Sequence, residues 1–402
     1  MFDLNKFISR EVTKRSKSMF LEDIEENRDI LCAKIKDKSI LVIGGAGSIG
    51  SSFIKAILPF GPKKLIVVDI NENALTELTR DLRSTKEWIV PEDYITYPMD
   101  FASPVFEKMF CKNEGFDIVG NFSAHKHVRS EKDIYSIEAL LRNNVLHAKC
   151  LLDLLSEWPP EEYFCVSTDK AANPVNIMGA SKRIMEDVIF AYSDIFSVKT
   201  ARFANVAFSN GSLPDGFLRR LQKLQPLSAP LDVRRYFVSL EESGQICMLA
   251  CMLGKNREIF FPKLKEAQMM TFDKIADALL QEYGYEAVLC KSDEEALSKM
   301  EKLLPNSKLY PVYYSETNTS GEKVYEEFYT DNESVDMNRM KSLGVVTNKR
   351  IPDKKKIKNL FDKLNTEFER TVTTKENIIA IMEEYLPNFK HIEMGKSLDS
   401  KM

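Results

Sequence analysis

The glycines of residues 44–50 are the first residues in the chain whose types and spacing indicate chemistry. Gly44, Gly47 and Gly50 stand three apart, between the apolar run 39–43 and the helical stretch 51–58. Glycines at this spacing allow a tight turn, a close approach of backbone N–H groups to a pyrophosphate, and close packing of a helix on a strand. Because the turn lies between a strand and a helix, the pattern predicts a dinucleotide-binding site rather than a glycine turn without a ligand.

Asp69 decides which dinucleotide is favoured. It ends the next apolar run, 64–69, and Asn71 follows with no arginine nearby. A carboxylate here can accept hydrogen bonds from both ribose hydroxyls and would repel a 2′-phosphate, so we predict NAD rather than NADP. The cofactor-binding candidates read from these patterns are Gly44, Gly47, Ser48, Ile49, Gly50, Asp69, Asn71 and, from its position near the adenine, the pair Asp100-Phe101.

The elements that must position these residues follow from an alternation of apolar runs and helical segments. The runs occupy residues 39–43, 64–69, 94–97, 117–121 and 163–167. Continuous apolar strands joined by helices make right-handed crossovers, and such crossovers build a parallel sheet covered on both faces. We therefore predict an α/β fold, a Rossmann-like doubly wound parallel sheet with a smaller C-terminal substrate-binding lobe.

The same patterns predict four regions along the chain. Residues 1–36 form an N-terminal helical arm that packs on the body or on another subunit, and 37–205 form the NAD-binding domain, with the catalytic residues at its C-terminal strand edge. Residues 206–347 form the smaller lobe. Residues 348–402 form a helical extension whose initial basic run is interpreted as a solvated face.

Composition excludes several other classes of protein. The 402 residues carry 56 Lys+Arg against 60 Asp+Glu, and a net charge of −4 gives no footprint for nucleic acid or an anionic membrane. Seven cysteines without a C-x-x-C spacing indicate a reducing compartment, and four dispersed histidines predict no metal site. No apolar run is long enough to cross a bilayer, and the N-terminus lacks the apolar core of a signal peptide. We therefore expect a cytoplasmic protein without a membrane span.

Motifs further along the chain carry a resemblance to a known family. They are Ser123-Ala124-His125-Lys126-His127-Val128, Ser167-Thr168-Asp169-Lys170, Met178-Gly179-Ala180-Ser181-Lys182-Arg183, Arg202-Phe203-x-Asn205-Val206, Ser209-x-Gly211-Ser212, Arg235-Tyr236-Phe237 and Gly321-Glu322-Lys323-x-Tyr325-Glu326-Glu327. With the glycine turn, they make residues 38–330 resemble the extended short-chain dehydrogenase/reductases. The closer resemblance is to the polysaccharide-biosynthesis branch, in particular UDP-N-acetylglucosamine (UDP-GlcNAc) 4,6-dehydratases.

The resemblance implies a reaction and a set of catalytic residues. A 4,6-dehydratase moves hydride from C4 to NAD⁺, removes the C5 proton, protonates the departing 6-hydroxyl and returns the hydride to C6, so NAD is tightly bound and recycled. Thr168 would hydrogen-bond the 4-oxygen, Asp169 would protonate the leaving oxygen, and Lys170 would act as the C5 base. Lys182 would hold the nicotinamide ribose, and the resemblance adds the motif residues Ser123 and Ala124 to the cofactor-binding set.

The resemblance also implies a substrate site. Lys126 and His127 would contact the sugar or the diphosphate, although a hydrogen-bonded loop is the alternative interpretation. Residues 206–347 become a nucleotide-sugar-binding lobe that contributes to the grip on the nucleotide diphosphate. The residues assigned to this grip are Asn205, Ser209 and Arg235, since a guanidinium suits phosphate oxygens.

Two departures from the family pattern bear on this assignment. Met178 stands where most relatives have the Tyr of Tyr-x-x-x-Lys, and a thioether cannot take the 4-hydroxyl proton. A subgroup of 4,6-dehydratases resembles the chain in having Met here, typically fused to a membrane-spanning half that we expect this chain to lack. Asp169, Thr168 with a water, or the substrate itself would then carry the proton away. The other departure is Thr319, at a position where the family has an Arg that would hold the diphosphate or nucleotide.

Three functions stay open on this sequence. We expect a UDP-GlcNAc 4,6-dehydratase for bacterial surface glycans; the alternatives are a nucleotide-sugar epimerase or C5-inverting dehydratase, and a non-catalytic NAD-binding scaffold. Thr168, Asp169, Lys170 and Lys182 are all present, which argues against a decayed site. Helices at 136–152 and 178–193 stand where this superfamily pairs subunits, so a homodimer or larger homo-oligomer is expected.

Overall fold

The computed structural model describes residues 2–304, 306–316, 325, 327–347 and 351–392. Some positions to which sequence predictions apply lie outside this part of the chain. They are the segment 318–323 with its Thr319 departure and its Gly-Glu-Lys motif, then Glu326, and Lys349 and Arg350 of the basic run.

The described residues form sixteen strands, nine of which build one central sheet. The strands are β1 (Ser39–Ile43), β2 (Lys64–Asp69), β3 (Asp93–Pro98), β4 (Ile118–Asn121), β5 (Glu162–Thr168), β6 (Val198–Phe203), β7 (Asn205–Val206), β8 (Leu227–Pro230), β9 (Arg234–Arg235), β10 (Phe237–Val238), β11 (Glu258–Pro262), β12 (Met270–Thr271), β13 (Glu286–Leu289), β14 (Leu309–Ser315), β15 (Val335–Asp336) and β16 (Leu343–Thr347). The order in the central sheet is β15-β16-β11-β6-β5-β4-β1-β2-β3. The strands from β11 to β3 are parallel, and β16 and β15 add an antiparallel edge. The predicted Rossmann-like α/β fold is confirmed.

Helices cover both faces of this sheet. Those described are α1 (Leu4–Phe7), α2 (Leu21–Glu26), α3 (Arg28–Ile35), α4 (Ser48–Ile57), α5 (Glu72–Ser84), α6 (Pro104–Lys112), α7 (Ile134–Leu141), α8 (His147–Glu157), α9 (Ile177–Phe190), α10 (Leu213–Gln222), α11 (Leu240–Leu253), α12 (Phe272–Glu282), α13 (Asp293–Glu301), α14 (Lys354–Phe368) and α15 (Lys375–Tyr385). A π-helical turn at Arg142–Leu146 joins α7 to α8, so the single helix predicted at 136–152 is divided. Such turns are frequent at functional sites, and this one carries Asn144.

The register of the parallel strands brings their carboxyl ends to one edge. Ile43 at the end of β1 pairs with Val68 on one side and with Asn121 on the other, and Asn121 pairs with Cys165. The segments that follow these strands therefore emerge side by side. This edge, where ligands bind in open α/β sheets, receives the glycine turn, Asp69, the 123–128 motif and the Thr168–Lys170 segment.

A smaller lobe has its own apolar core. The strands β8, β14 and β13 form a three-stranded parallel sheet. Helices α10 and α12 pack on it, and Phe7 of the N-terminal arm inserts into the same core. Residues 258–262 and 343–347, placed by sequence in the 206–347 lobe, form β11 and β16 of the central sheet. The division of the chain into four regions stays a prediction.

The N-terminal arm packs on the body. Arg15 makes a two-pronged contact with the buried carboxylate of Glu242 at the start of α11. Asp23 is buried and accepts backbone N–H bonds from Lys341 at 2.7 Å and Ser342 at 2.8 Å. These contacts tie the arm to the segments that enter α11 and β16.

Candidate active site

The glycine turn is shaped so that no side chain fits at its centre. Gly44 has φ +70°, and a Cβ there would stand 2.6 Å from the backbone nitrogen of Ser123. A Cβ on Gly50 would stand 2.4 Å from the Gly44 carbonyl oxygen. Helix α4 begins directly after Gly47, with Ser48 and Ile49 in its first turn. This bare backbone at a helix N-terminus fits the pyrophosphate of a dinucleotide.

Asp69 lies beside the turn with its carboxylate half-buried. One oxygen accepts the Ala46 N–H at 3.1 Å and the other accepts the Asn71 N–H at 3.0 Å. A carboxylate has four acceptor positions, so two are left for ribose hydroxyls. The Asn71 side chain caps α5 by accepting the Ala74 N–H at 3.0 Å. The site therefore fits NAD, while the contact predicted for Asn71 stays a prediction.

The adenine assignment rests on two neighbouring residues with different environments. Asp100 is exposed, and its carboxylate accepts the Ala102 N–H at 2.8 Å. Phe101 is buried, and its ring meets the ring of His147 edge to face at 6.1 Å between centroids. Both follow β3 at the same sheet edge as the turn, and their contact with adenine stays a prediction.

The segment after β4 is held by Asn144. The Asn144 carboxamide accepts the His125 N–H at 2.9 Å and donates to the His125 carbonyl at 3.0 Å and to Ser181 Oγ at 3.1 Å. Ser123 N–H donates to Asn121 Oδ1 at 3.0 Å, and Ala124 lies between the two held residues. Asn144 thus fixes the path of the 123–125 backbone beside the glycine turn.

Thr168, Asp169 and Lys170 form a compact group at the end of β5. Asp169 is 4% exposed, and one of its carboxylate oxygens, Oδ1, accepts three donors. The Thr168 hydroxyl donates at 2.8 Å, the Lys170 backbone N–H at 2.9 Å and the Lys170 ammonium at 3.1 Å. A short 3₁₀ turn, Asp169–Ala171, brings these neighbouring side chains together. The arrangement links an alcohol, a carboxyl group and an amine by direct hydrogen bonds.

Helix α9 places Met178 and Lys182 behind this group. Lys182 is 3% exposed, and its Nζ donates to the Val166 carbonyl of β5 at 3.0 Å. Burial lowers the pKa of the Lys182 amine, against the opposing effect of Glu186 and Cys165. Met178 is 2% exposed, so its thioether is enclosed by protein. The ribose contact predicted for Lys182 stays a prediction.

A loop of the smaller lobe closes over the glycine turn. The Asn210 N–H donates to Ser48 Oγ at 2.9 Å, and the Asn210 carbonyl accepts from Lys126 Nζ at 2.9 Å. The structure therefore brings Ser48, predicted for the cofactor, and Lys126, predicted for the substrate, to one loop. Ser209 is buried directly before that loop.

A cavity of about 410 Å³ opens beside this loop, and the cations Arg129 and Lys132 stand in its wall. Its lining includes His125, His127, Arg129, Lys132 and Gly211. Burial lowers the pKa of Lys126 and of His127, and neighbouring cations lower that of His127 further. A cluster of basic groups that already disfavour one another's charge suits an anionic ligand.

The two remaining substrate candidates lie in neighbouring short strands. Asn205 in β7 pairs with Phe237 in β10, and its N–H donates to the Tyr236 carbonyl at 3.0 Å. Arg235 is 6% exposed, and its guanidinium donates to the Arg234 carbonyl at 2.9 Å. The backbone of Asn205 thus bonds to Tyr236, the residue after Arg235, and the contact of Asn205 and Arg235 with a diphosphate stays a prediction.

Sequence reasoning did not single out the buried charges behind the site. Arg202 forms a two-pronged pair with Glu186 of α9, at 3.0 and 2.8 Å, and a second with Glu333, at 2.8 Å for both contacts. Ser167 donates to Glu186 at 2.7 Å, so the network reaches the residue before Thr168. Arg202 belongs to one of the family motifs, but no local pattern indicates which carboxylates it meets.

Comparison with a family model gives a match over most of the chain. Residues 40–348 match the model described as "Polysaccharide biosynthesis protein". A Methanocaldococcus jannaschii protein named "Uncharacterized membrane protein" is 30% identical over 87% of this chain and 96% of its own length. In the described residues of the present chain, no helix is long and apolar enough to cross a membrane.

A second relative carries the name of an enzyme. "UDP-N-acetylglucosamine 4,6-dehydratase (inverting)" from Campylobacter jejuni is 26% identical over 64% of this chain and 75% of its own length.

Solved structures share the fold at lower identity. Pen from Bacillus thuringiensis superposes with a TM-score of 0.64 at 20% identity, covering 82% of this chain and 98% of that one. DesIV, a dTDP-glucose 4,6-dehydratase from Streptomyces venezuelae, gives 0.54 at 19% identity, covering 72% and 88%. These likenesses support the Rossmann-like architecture.

Proposed function

The chain belongs to the polysaccharide biosynthesis protein family, and from that membership we propose that it is an NAD-dependent nucleotide-sugar 4,6-dehydratase acting on UDP-GlcNAc. A relative named as a UDP-N-acetylglucosamine 4,6-dehydratase supports the broader assignment to nucleotide-sugar dehydratases or epimerases. The observation that carries the proposed 4,6-dehydratase reaction is the contact between Asp169 and Lys170 at the sheet edge where NAD would bind. An epimerase needs no such pair of acid and base.

NAD would be held by residues of the glycine turn and its neighbours. The backbone around Gly44, Gly47 and Gly50 would meet the pyrophosphate, and Asp69 would meet the adenine ribose. When bound, NAD accepts hydride from C4 of the sugar and returns it to C6. The remaining steps are proton transfers and the departure of the 6-hydroxyl as water, and the chain supplies the groups that move the protons.

The Asp169–Lys170 contact supplies both groups that the elimination needs. Transfer of one proton across the 3.1 Å contact converts the ammonium and carboxylate into a neutral amine and a carboxylic acid. The Lys170 amine then takes the C5 proton, and the Asp169 acid protonates the 6-hydroxyl, which leaves as water. Lys170 gives a proton back to C5 when C6 is reduced, so the amine ends the cycle neutral and Asp169 ends it ionised.

The proton that the 4-hydroxyl of the next sugar loses on oxidation returns Lys170 to the ammonium form, which restores the ammonium–carboxylate pair. The Thr168 hydroxyl contacts Asp169 at 2.8 Å, which supports a route from the sugar oxygen through Thr168 and a water to the pair. Met178 is enclosed and has no acidic proton to exchange, so this route does not need it. The overall balance is the loss of one water, made from the 6-hydroxyl and the 4-hydroxyl proton.

Substrate choice, location and assembly complete the proposal. The cations Arg129 and Lys132 in the cavity wall suit a diphosphate, and a relative is named for UDP-N-acetylglucosamine. We place the protein in the cytoplasm, in the synthesis of a bacterial surface glycan, as a homo-oligomer.

Incubation with UDP-GlcNAc in deuterated water tests the proposal. A 4,6-dehydratase releases a 4-keto-6-deoxy sugar with deuterium at C5, because Lys170 exchanges its protons with solvent before it returns one. Mass spectrometry and NMR of the product read the outcome. An isomer that retains the oxygen at C6 would indicate an epimerase, unchanged substrate a scaffold, and an inverted C5 the inverting form of the dehydratase.

A further inference from the structure

The last described residues of the chain return to the active-site helix. After α15, Phe389 is buried and the Ile392 N–H donates to the Val175 carbonyl at 3.0 Å. Val175 lies just before Asn176, the residue that caps the N-terminus of α9. The C-terminal extension therefore reaches the start of the helix that carries Met178 and Lys182.

Glu131 joins this terminal segment to the helix. It ends a 3₁₀ turn, Val128–Glu131, that follows the 123–128 motif, and it is buried. One carboxylate oxygen accepts the Met178 backbone N–H at 3.0 Å. The other lies 3.0 Å from His391 Nε2, and the side chains of His391 and Glu131 are 5% and 7% exposed.

The contacts with Met178 and His391 together satisfy both oxygens of the buried Glu131 carboxylate. The first N–H groups of a helix have no partner within the helix, and a negative charge near them is favourable. Asn176 Oδ1 satisfies the Gly179 N–H at 2.7 Å, and Glu131 satisfies the Met178 N–H. A buried carboxylate oxygen without a donor is costly, so loss of the His391 contact would draw Glu131 away from Met178.

The start of α9 also sets the position of Lys170. A Cβ on Gly179 would stand only 2.6 Å from the Lys170 carbonyl oxygen, so helix and 3₁₀ turn lie in direct contact there. A small displacement at Met178 and Gly179 would therefore move the Lys170 backbone. Misplacement of reacting groups by about 1 Å can cost about 100-fold in rate.

We propose that His391 is a positioning residue that acts through Glu131: it holds the N-terminus of α9, and with it Lys170 and Lys182, in the geometry the reaction needs. The effect on catalysis rests on the proposed function; the effect on the helix does not. His391 lies far from Met178 in sequence, outside residues 38–330, which carry the family resemblance.

The test compares three single variants of the full chain. His391→Ala removes the contact, His391→Gln keeps a neutral donor near the position of Nε2, and Lys390→Ala changes the exposed neighbour as a control. We measure kcat and KM with UDP-GlcNAc, the melting temperature, and hydrogen exchange of the amides of residues 177–179.

Positioning predicts a specific set of results. In His391→Ala, kcat falls by about 10- to 100-fold with KM within about twofold, and the Met178 amide exchanges at least about tenfold faster. His391→Gln restores kcat and amide protection to within about threefold of the wild type, and Lys390→Ala matches the wild type.

Other results overturn the proposal. Unchanged amide exchange in His391→Ala does so, and so does unchanged kcat in an active enzyme. A lowered melting temperature with a loss that His391→Gln does not rescue would make His391 a stabilising residue only. If the wild type releases no 4-keto sugar, the proposed function fails, and amide exchange alone then decides whether His391 holds the helix.

Discussion

Asp169 shows what residue types reveal and what they leave open. Its place beside Lys170 in the chain suggested an acid and a base, yet neighbouring residues of a strand point to opposite faces of the sheet. The two side chains meet because a 3₁₀ turn begins where β5 ends, so that one oxygen of Asp169 accepts from Thr168 and twice from Lys170. The residue pair was predictable from sequence, but the contact depends on a turn that carries no glycine or proline to announce it.

A substitution of Asp69 tests whether this carboxylate selects NAD over NADP. Asp69→Ser removes the charge that would repel a 2′-phosphate, so we expect the preference for NAD over NADP to fall by at least about tenfold, the equivalent of 1.4 kcal/mol. Titration of the purified, cofactor-depleted protein with each dinucleotide measures it. Asp93→Ser, at the opposite end of the neighbouring strand, is the matched control and should keep the wild-type preference. An unchanged preference in Asp69→Ser would contradict the assignment of the ribose site.

At the scale of elements, buried charges hold helix α9 against the sheet. Burial by itself would raise the pKa of Glu186, but Arg202, Arg183 and the Ser167 hydroxyl outweigh it and lower the pKa to about 2. Glu186 lies on α9 and Arg202 on β6, so the pair fixes the helix relative to the strand next to β5. The active-site helix is thus held at its first turn by Glu131 and in its third by Glu186.

Glu186→Gln tests this attachment through its pH dependence. Removing the charge leaves Arg202 buried with one carboxylate fewer, so we expect the free energy of unfolding at pH 7 to fall by about 3–5 kcal/mol. Because the folded-state pKa is depressed, the stabilisation is present above the unfolded value of 4.5 and is lost as the pH falls toward about 2. Denaturant unfolding of both proteins should therefore show a difference that is constant above pH 5 and shrinks below it.

A surface pair gives the matched control for Glu186. Glu77 and Arg80 are both well exposed, and Glu77→Gln should change the free energy of unfolding by less than about 1 kcal/mol. A Glu186→Gln protein as stable as this control at pH 7 would show that the buried pair does not hold the helix.

The central strands could be predicted from the sequence, whereas the antiparallel edge of the sheet and the π-helical turn could not. Strands β1, β2, β4 and β5 were predictable because central parallel strands read as continuous apolar runs, as in the fully buried Leu65–Val68 segment of β2. The antiparallel edge was not, since β16 pairs with β11, which lies about 80 residues earlier in the chain, and β15 contributes only two residues. The π-helical turn that carries Asn144 was missed as well, because its sequence has ordinary helix periodicity.

At the scale of the whole molecule, the C-terminal extension covers part of a helix face expected to pair subunits. Arg142 lies 5.1 Å above the Phe368 ring of α14, and Tyr385 of α15 donates to Asp187 of α9 at 3.3 Å. Leu364, one turn before Phe368 on α14, is fully buried in the main core. The homodimer expected from helices 136–152 and 178–193 would therefore need another surface, or a displaced extension.

This arrangement gives a prediction for assembly. Cys150 is exposed on α8, where a subunit packed on that face would bury it. If the extension keeps a second subunit off this face, Cys150→Asp should leave the molar mass in light scattering equal to that of the wild type. Cys150→Ser controls for loss of the thiol. A mass that falls only in the aspartate variant would instead place a subunit interface on α8.

We propose that Asp169 and Lys170 together carry the acid–base chemistry of water elimination, and one assay tests this directly. Asp169→Asn and Lys170→Ala are each assayed for release of C5-deuterated 4-keto-6-deoxy sugar from UDP-GlcNAc in deuterated water, with the bound NAD quantified in the same samples. We predict a loss of at least about 10²-fold in each variant with NAD content unchanged. Turnover near the wild-type rate in either variant would contradict the account.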